Sequence, residues 1–221
     1  MSAEYLTVVG LGNPSAKYRA TRHNIGFAVV DLLRASSGAV SPDELHSRFG
    51  THARAALKGD LGSNGWQERD GRLESMTSLC DWAPTLIKPQ TFMNCSGEPL
   101  QSFLSFRKIP ISQVIVVHDE IDLPLGVVRV KIDGGEGGHN GLRSISALCG
   151  GKNYARVRVG IGKPHPGSPL AQDEEGIATW VLSRFSLEEG PFAEELVGKA
   201  AAAVVVLACE GLRAAQNRFN G

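Results

Sequence analysis

The chain has 221 residues, 42% of them hydrophobic, and its Lys+Arg and Asp+Glu counts balance at 23 each. That composition excludes a disordered chain, and a zero net charge excludes a protein that coats nucleic acid over its whole surface. The longest apolar run, Ala200–Cys209, is too short to cross a bilayer, Met1-Ser-Ala-Glu4 has no leader-like pattern, and four scattered cysteines without a C-x-x-C motif exclude a zinc knuckle.

In chain order, Leu6–Gly10 reads as a short strand ending in the turn Gly10-Leu-Gly-Asn-Pro. Ile25, Ala28, Val29, Leu32 and Leu33 recur at helical spacing and predict an amphipathic helix over 24–36. The stretch 38–83 has weak periodicity and several glycine breakers, which predicts one or two strands with a surface insertion around 58–72. Thr85–Lys88 predicts a strand closed by Pro89, and Leu100, Phe103 and Leu104 mark a following helix. Val114–Val117 is a continuous β-branched run that ends at His118-Asp119, as expected of a buried parallel strand.

Two later segments alternate. Val128, Val130 and Ile132 are set against Arg129 and Lys131, and Val157, Val159 and Ile161 against Arg156 and Arg158. Each predicts a strand with an apolar face inward and a basic face outward. A helix is expected from about Leu142, and 191–217 reads as helical. Together these elements predict an α/β fold, a single-domain three-layer sandwich with a twisted mixed β-sheet flanked by helices, spanning 1–221.

The balanced total hides an asymmetry. Val127–Lys163 carries a net +5, whereas Pro164–Glu195 carries a net −6. A basic patch on a neutral chain suggests a polyanion touched at one place.

In open α/β sheets, ligands gather beyond the carboxyl ends of parallel strands. Asn13, Asn94 and Asp119 fall at such ends, and His23 follows Asn13 in the next loop. A histidine partnered by a carboxylate can act as a general base near neutral pH, and asparagine amides can donate to a developing oxyanion or position a water. No G-x-S-x-G elbow is present, which favours direct attack by water over a covalent intermediate. The first Gly-rich turn has Ser15 where a dinucleotide fingerprint needs its third glycine. The second, Gly134–Gly141, has five glycines in eight residues plus His139 and Asn140, and feeds a helix whose free N–H groups could hold an anion. These residues leave open an esterase and an RNA-binding module that has lost turnover.

The same segments resemble one family closely, the bacterial-type peptidyl-tRNA hydrolases. The resemblance rests on Val8-Val-Gly-Leu-Gly-Asn-Pro14 with Tyr18 and Thr21-Arg-His-Asn24; on Lys88-Pro-Gln-Thr-Phe-Met-Asn94; on His118-Asp-Glu120; and on Gly137-Gly-His-Asn-Gly-Leu-Arg143. Arg158-Val-Gly-Ile-Gly-Lys-Pro164 and Trp180-Val-Leu182 continue it, so it spans nearly the whole chain. It implies hydrolysis of the ester between a peptide, or an N-blocked amino acid, and the 3′-terminal adenosine of tRNA. It further implies His23 as base, Asp119 as its carboxylate, and Asn94 and Asn13 as groups positioning the substrate. Tyr18, Phe92, Met93, His139 and Asn140 are implied on the substrate side, with Lys131 and Arg158 gripping the 5′ phosphate region of the tRNA. No metal or other cofactor is implied, and a cytoplasmic monomer without a membrane partner is expected. The chain departs from the family at Ser15, where glycine is usual, and at Glu136, an acid expected to face the tRNA.

Overall fold

A computed structural model describes residues 5–39 and 41–221; the four-residue start read above for a leader lies outside them. Seven strands form one sheet: β1 (Thr7–Gly10), β2 (Gln67–Arg69), β3 (Arg72–Met76), β4 (Thr85–Pro89), β5 (Val114–Glu120), β6 (Val128–Ile132) and β7 (Ala155–Gly160), in the order β2-β3-β4-β1-β5-β7-β6. The central four, β4, β1, β5 and β7, run parallel, while the antiparallel β2–β3 pair closes one side and antiparallel β6 the other. The expected mixed sheet flanked by helices is therefore present.

One face is covered by α1 (Ile25–Ala35), α2 (Pro42–Lys58), α6 (Gly190–Glu210) and α7 (Leu212–Phe219), and the other by α3 (Gly97–Arg107) and α4 (Asn140–Leu148). A short helix, α5 (Glu174–Val181), packs its Trp180 and Val181 against the core on the first of these faces. Among the described residues, no helix is long and apolar enough to cross a membrane.

Three expectations need correction. The stretch 38–83 contains a 17-residue helix, α2, and the antiparallel β2–β3 pair, so only the short connection between them remains of the insertion read at 58–72. Ser41 Oγ accepts from the Glu44 N–H to start α2, and Leu45, Phe49, Ala53 and Leu57 are buried at four-residue spacing. The α1 helix is buried from Ile25 through Leu33, not on one face alone. It lies between the sheet and the helices α2 and α6, and its Asp31 is matched by Lys88 Nζ at 2.7 Å and Trp66 Nε1 at 2.9 Å.

The third correction concerns the basic strands. Val128, Val130, Val157, Val159 and Ile161 do face α6 and α7, but Ile132 is exposed, and the basic side chains are not all in solvent. Arg156 is 0% exposed, and Lys131 and Arg158 are half-buried. The register explains this: Lys131 pairs with Arg156 and Arg129 with Arg158, so the four cations share one sheet face and crowd one another.

Candidate active site

A close approach of backbones builds the site. A Cβ on Gly26 would lie 2.5 Å from the Leu11 nitrogen and the Val117 oxygen, and one on Gly10 would lie 2.2 Å from the Gly26 oxygen. Only glycines let the start of α1 sit directly on β1 and β5. The glycines of the first turn therefore serve helix–strand contact. The 3-10 turn Arg22–Asn24, which precedes α1, is thereby held over the end of β5.

The contact brings His23 to Asp119. His23 Nδ1 is 2.9 Å from both carboxylate oxygens of Asp119, and His139 Nε2 is 3.0 Å from one of them. Strand β5 runs on to Glu120, so Asp119 belongs to the strand's last turn of the ladder, with its side chain 3% exposed. Burial by itself would push the Asp119 carboxyl up. The two imidazoles and their hydrogen bonds prevail and hold it far below the ordinary carboxylate range, so it is an anion at any working pH.

Hydrogen bonding assigns the protons. His139 Nδ1 accepts from the backbone N–H groups of Gly141 and Leu142 at the start of α4, so its own proton is on Nε2 and is donated to Asp119. His23 donates through Nδ1 to Asp119, which leaves its Nε2 with no partner among the described residues. His118, one residue before Asp119, is 1% exposed; burial and the neighbouring His139 push its imidazole well down, so it stays neutral. The donor atoms of His23, Asp119 and His139 lie within 4.8 Å of one another, a spacing that could admit a metal ion. Each is already engaged with another member of the set or with the α4 backbone, so the arrangement suits proton transfer better than ligation.

Asn13 is oriented with equal care. Its Oδ1 accepts from the Met93 N–H at 2.8 Å, and its backbone N–H and carbonyl are both held by the side chain of Asn24, at 2.8 and 2.9 Å. Because an N–H can only donate, the Asn13 oxygen faces Met93 and its amide NH₂ is left for a ligand. Asn24 is thus a positioning group that the sequence reading left without a role; its place directly after His23 was the available signal.

His23 and Asp119 line a cleft of about 980 Å³ with Asn13, Phe92, Met93, Asn94, His139 and Asn140. Asn94 is exposed, with no partner for its amide among the described residues, while Met93 is buried and acts through its backbone. Phe92 is 59% exposed at the cleft and meets the Tyr18 ring edge-on, with centroids 6.3 Å apart. The opposite wall is α5, through Ile177, Ala178 and Val181. Sequence reasoning missed that wall. It is tied to the Arg22–Asn24 turn by Arg22, which stacks on Trp180 and pairs with Glu189 at 2.7 Å.

Lys131 and Arg158 lie outside this cleft, on the β6–β7 face. Arg158 pairs with Glu120 at 2.9 Å, whereas Lys131 has no ion-pair partner among the described residues. Partial burial, then the neighbouring Arg156 and Arg158, push the Lys131 ammonium down, so an arriving anion would relieve an existing repulsion. Glu136 is matched by Lys152 at 3.1 Å, which offsets the negative charge read there as unfavourable for tRNA.

Ser15 has φ 85° and ψ 153°, a backbone region that is essentially glycine's alone. Replacing it with glycine is expected to stabilise the fold by about 1 kcal/mol. A rise in the urea midpoint at unchanged slope checks this, and an unmoved midpoint would show that no strain is stored there.

A sequence model described as peptidyl-tRNA hydrolase matches residues 7–221. A peptidyl-tRNA hydrolase of Mycobacterium ulcerans is 43% identical over 218 residues, covering 99% of this chain and 98% of that one. One from Nocardia farcinica is 42% identical over 213 residues, with 96% and 95% covered. Among solved structures, the crystal structure of peptidyl-tRNA hydrolase from Acinetobacter baumannii superposes with a TM-score of 0.77 at 29% identity, covering 100% of this chain and 97% of that one.

Proposed function

The chain belongs to the peptidyl-tRNA hydrolase family, hydrolases acting on the ester bond of peptidyl-tRNA, and from that premise we propose that His23 is the general base of this ester hydrolysis. The observation that carries the assignment is the His23 Nδ1–Asp119 contact at 2.9 Å, which leaves Nε2 unengaged in a ring that lines the cleft. Nε2 takes a proton from water as the water oxygen attacks the ester carbonyl carbon. The Asp119 carboxylate stabilises the imidazolium that results. When the tetrahedral intermediate collapses, the imidazolium returns the proton to the 3′ oxygen of the departing adenosine, giving free tRNA and a carboxylic acid.

The amides of Asn94 and Asn13 hold the acyl portion. The Asn13 NH₂ offers only donors, so it suits the carbonyl of a peptide or N-blocking group, whereas a free α-ammonium, also donor-only, finds no acceptor there. Phe92, exposed beside Tyr18, is a stacking surface for a base of the acceptor end, and Asn140 borders the same cleft. Lys131 and Arg158 meet the 5′ phosphate region. Phosphate contacts position a substrate without reading sequence, so use of many tRNAs follows. The same proposal includes a monomer acting in the cytoplasm on prematurely released peptidyl-tRNA.

The direct test is release of the blocked amino acid from an N-blocked aminoacyl-tRNA, against a minimal substrate in which that group is esterified to a short 3′ oligonucleotide. Reversing Arg158 would set an acid against Glu120 at the cleft, so Lys131→Gln is the cleaner variant. It is expected to raise KM for the full tRNA and to flatten its log–log salt dependence by about 0.7–0.9, one phosphate contact. The minimal substrate should be unaffected. Equal losses on both substrates would refute the phosphate role, and a parent protein that releases nothing from either would refute the hydrolase assignment.

A further inference from the structure

The largest fully buried side chain is a cation. Arg156 is 0% exposed and has no carboxylate partner among the described residues. Its Nη1 and Nη2 donate to the carbonyl oxygens of Gly135 and Gly134, both at 2.8 Å, its guanidinium lies 4.7 Å from the centroid of the Tyr154 ring, and its Nε has no partner. Burying a guanidinium this way is costly, and an apolar side chain of the same volume would fill the space without that cost. The two carbonyls do not need it either, since Gly134 and Gly135 are exposed and water would satisfy them.

What an apolar residue cannot do is hold two successive carbonyls with two parallel donors. The segment so held is the first half of the Gly-rich loop, in which Gly134, Gly137 and Gly138 all have positive φ and the backbone is otherwise free to wander. Lys152 holds its middle through Glu136, and the turn closes with the His139 N–H on the Glu136 carbonyl at 2.9 Å. His139 then reaches Asp119.

Building on the assignment of His23 and Asp119 above, we infer that Arg156 is a positioning residue for the hydrolysis: it fixes the Gly-rich loop so that His139 shares the Asp119 carboxylate with His23. The charged and titratable groups around that shared carboxylate are His118 on β5, Glu120 with its partner Arg158, Arg143 on α4, and Asp173 and Glu174 across the cleft. Of these, His118 feels the charges of both Arg156 and Asp119, but it is buried and neutral, and Arg156→Lys keeps the charge it feels. The path runs through the loop and His139.

Loosening the loop withdraws one hydrogen bond from Asp119 and leaves its charge more fully to His23. The protonated ring of His23 is then favoured, and the acid limb of the kcat/KM profile moves to higher pH. The test compares Arg156→Lys, Arg156→Met and His139→Phe with the parent, each checked for folding by thermal unfolding. Arg156→Met is expected to lower kcat/KM about 10–100-fold and to raise the acid limb, as His139→Phe does; Arg156→Lys should fall between. Combining the Arg156 and His139 changes should add little to either alone.

Ring ¹⁵N NMR of His139 gives a reading independent of turnover. Arg156→Lys should change the His139 signal even if the parent proves inactive, so failure of this inference is separable from failure of the hydrolase assignment. Folded variants with an unmoved acid limb and an unchanged His139 signal would overturn it. If neither Arg156 variant folds, Tyr154→Leu, which removes the ring beneath the guanidinium, is judged by the same two readings and decides the matter.

Discussion

His23→Ala is expected to lower turnover by about 10²–10⁴-fold or more, the size of a lost general base, while tRNA binding stays close to that of the parent. Binding survives because the β6–β7 cations lie outside the cleft lined by His23 and do not touch His23. The check is single-turnover release of a blocked amino acid, with tRNA affinity measured separately at one salt concentration. Activity within a few-fold of the parent would remove His23 from the mechanism.

The same variant carries a stability signature. In the parent, the Asp119 carboxyl titrates far below its ordinary value of 3.8, so its stabilising contribution is complete above that value and is lost only as pH falls through the depressed one. Without the His23 imidazole, Asp119 keeps His139 alone, and its carboxyl titrates closer to the ordinary range. The acid-unfolding midpoint of His23→Ala should therefore rise relative to the parent. An unshifted midpoint would mean that His23 contributes little to holding the anion.

Asp119→Asn is expected to cost up to about 10⁴-fold in kcat, because an amide can neither stabilise the imidazolium nor dictate the tautomer of two histidines at once. In the parent, both His23 and His139 donate to this carboxylate. An asparagine oxygen at the shared position could still accept from both rings, but its NH₂ would replace the second carboxylate oxygen 2.9 Å from His23 Nδ1 and set donor against donor there. Loss of the anion also disfavours the protonated His23, which moves the acid limb of the pH–rate profile to lower pH, opposite to the shift expected from releasing His139. The opposed signs separate the carboxylate's role from that of its second partner. A profile with an unmoved acid limb would mean that Asp119 and His23 are not coupled.

Much of the fold was legible because the central strands are simple. Val114–Val117 is a β-branched run that only a strand buried on both faces satisfies, and β1 and β4 end in turn residues that left Asn13 and Asn94 beside the same edge. The α2 helix was harder. Its alanines and scattered charges dilute the four-residue spacing of Leu45, Phe49, Ala53 and Leu57, and the glycines that follow drew attention to loops. The capping pair Ser41 and Glu44 was the overlooked signal.

The order of chemical groups along the chain determined which residues could take part: a histidine near the first turn, a carboxylate at the end of the buried strand, and asparagines at neighbouring strand ends. Tertiary structure decided what each does, because hydrogen-bond roles depend on partners distant in sequence. His139, expected on the substrate side, has both ring nitrogens occupied, by α4 and by Asp119, and so becomes a partner of the carboxylate. Arg156 shows the limit of alternation as a guide. Period-two patterning puts it on the same face as Lys131 and Arg158, but a strand's pattern does not say what covers that face. Here the Gly-rich loop folds back over Arg156 and buries it, while its neighbour Lys131 stays half-buried with no ion pair among the described residues.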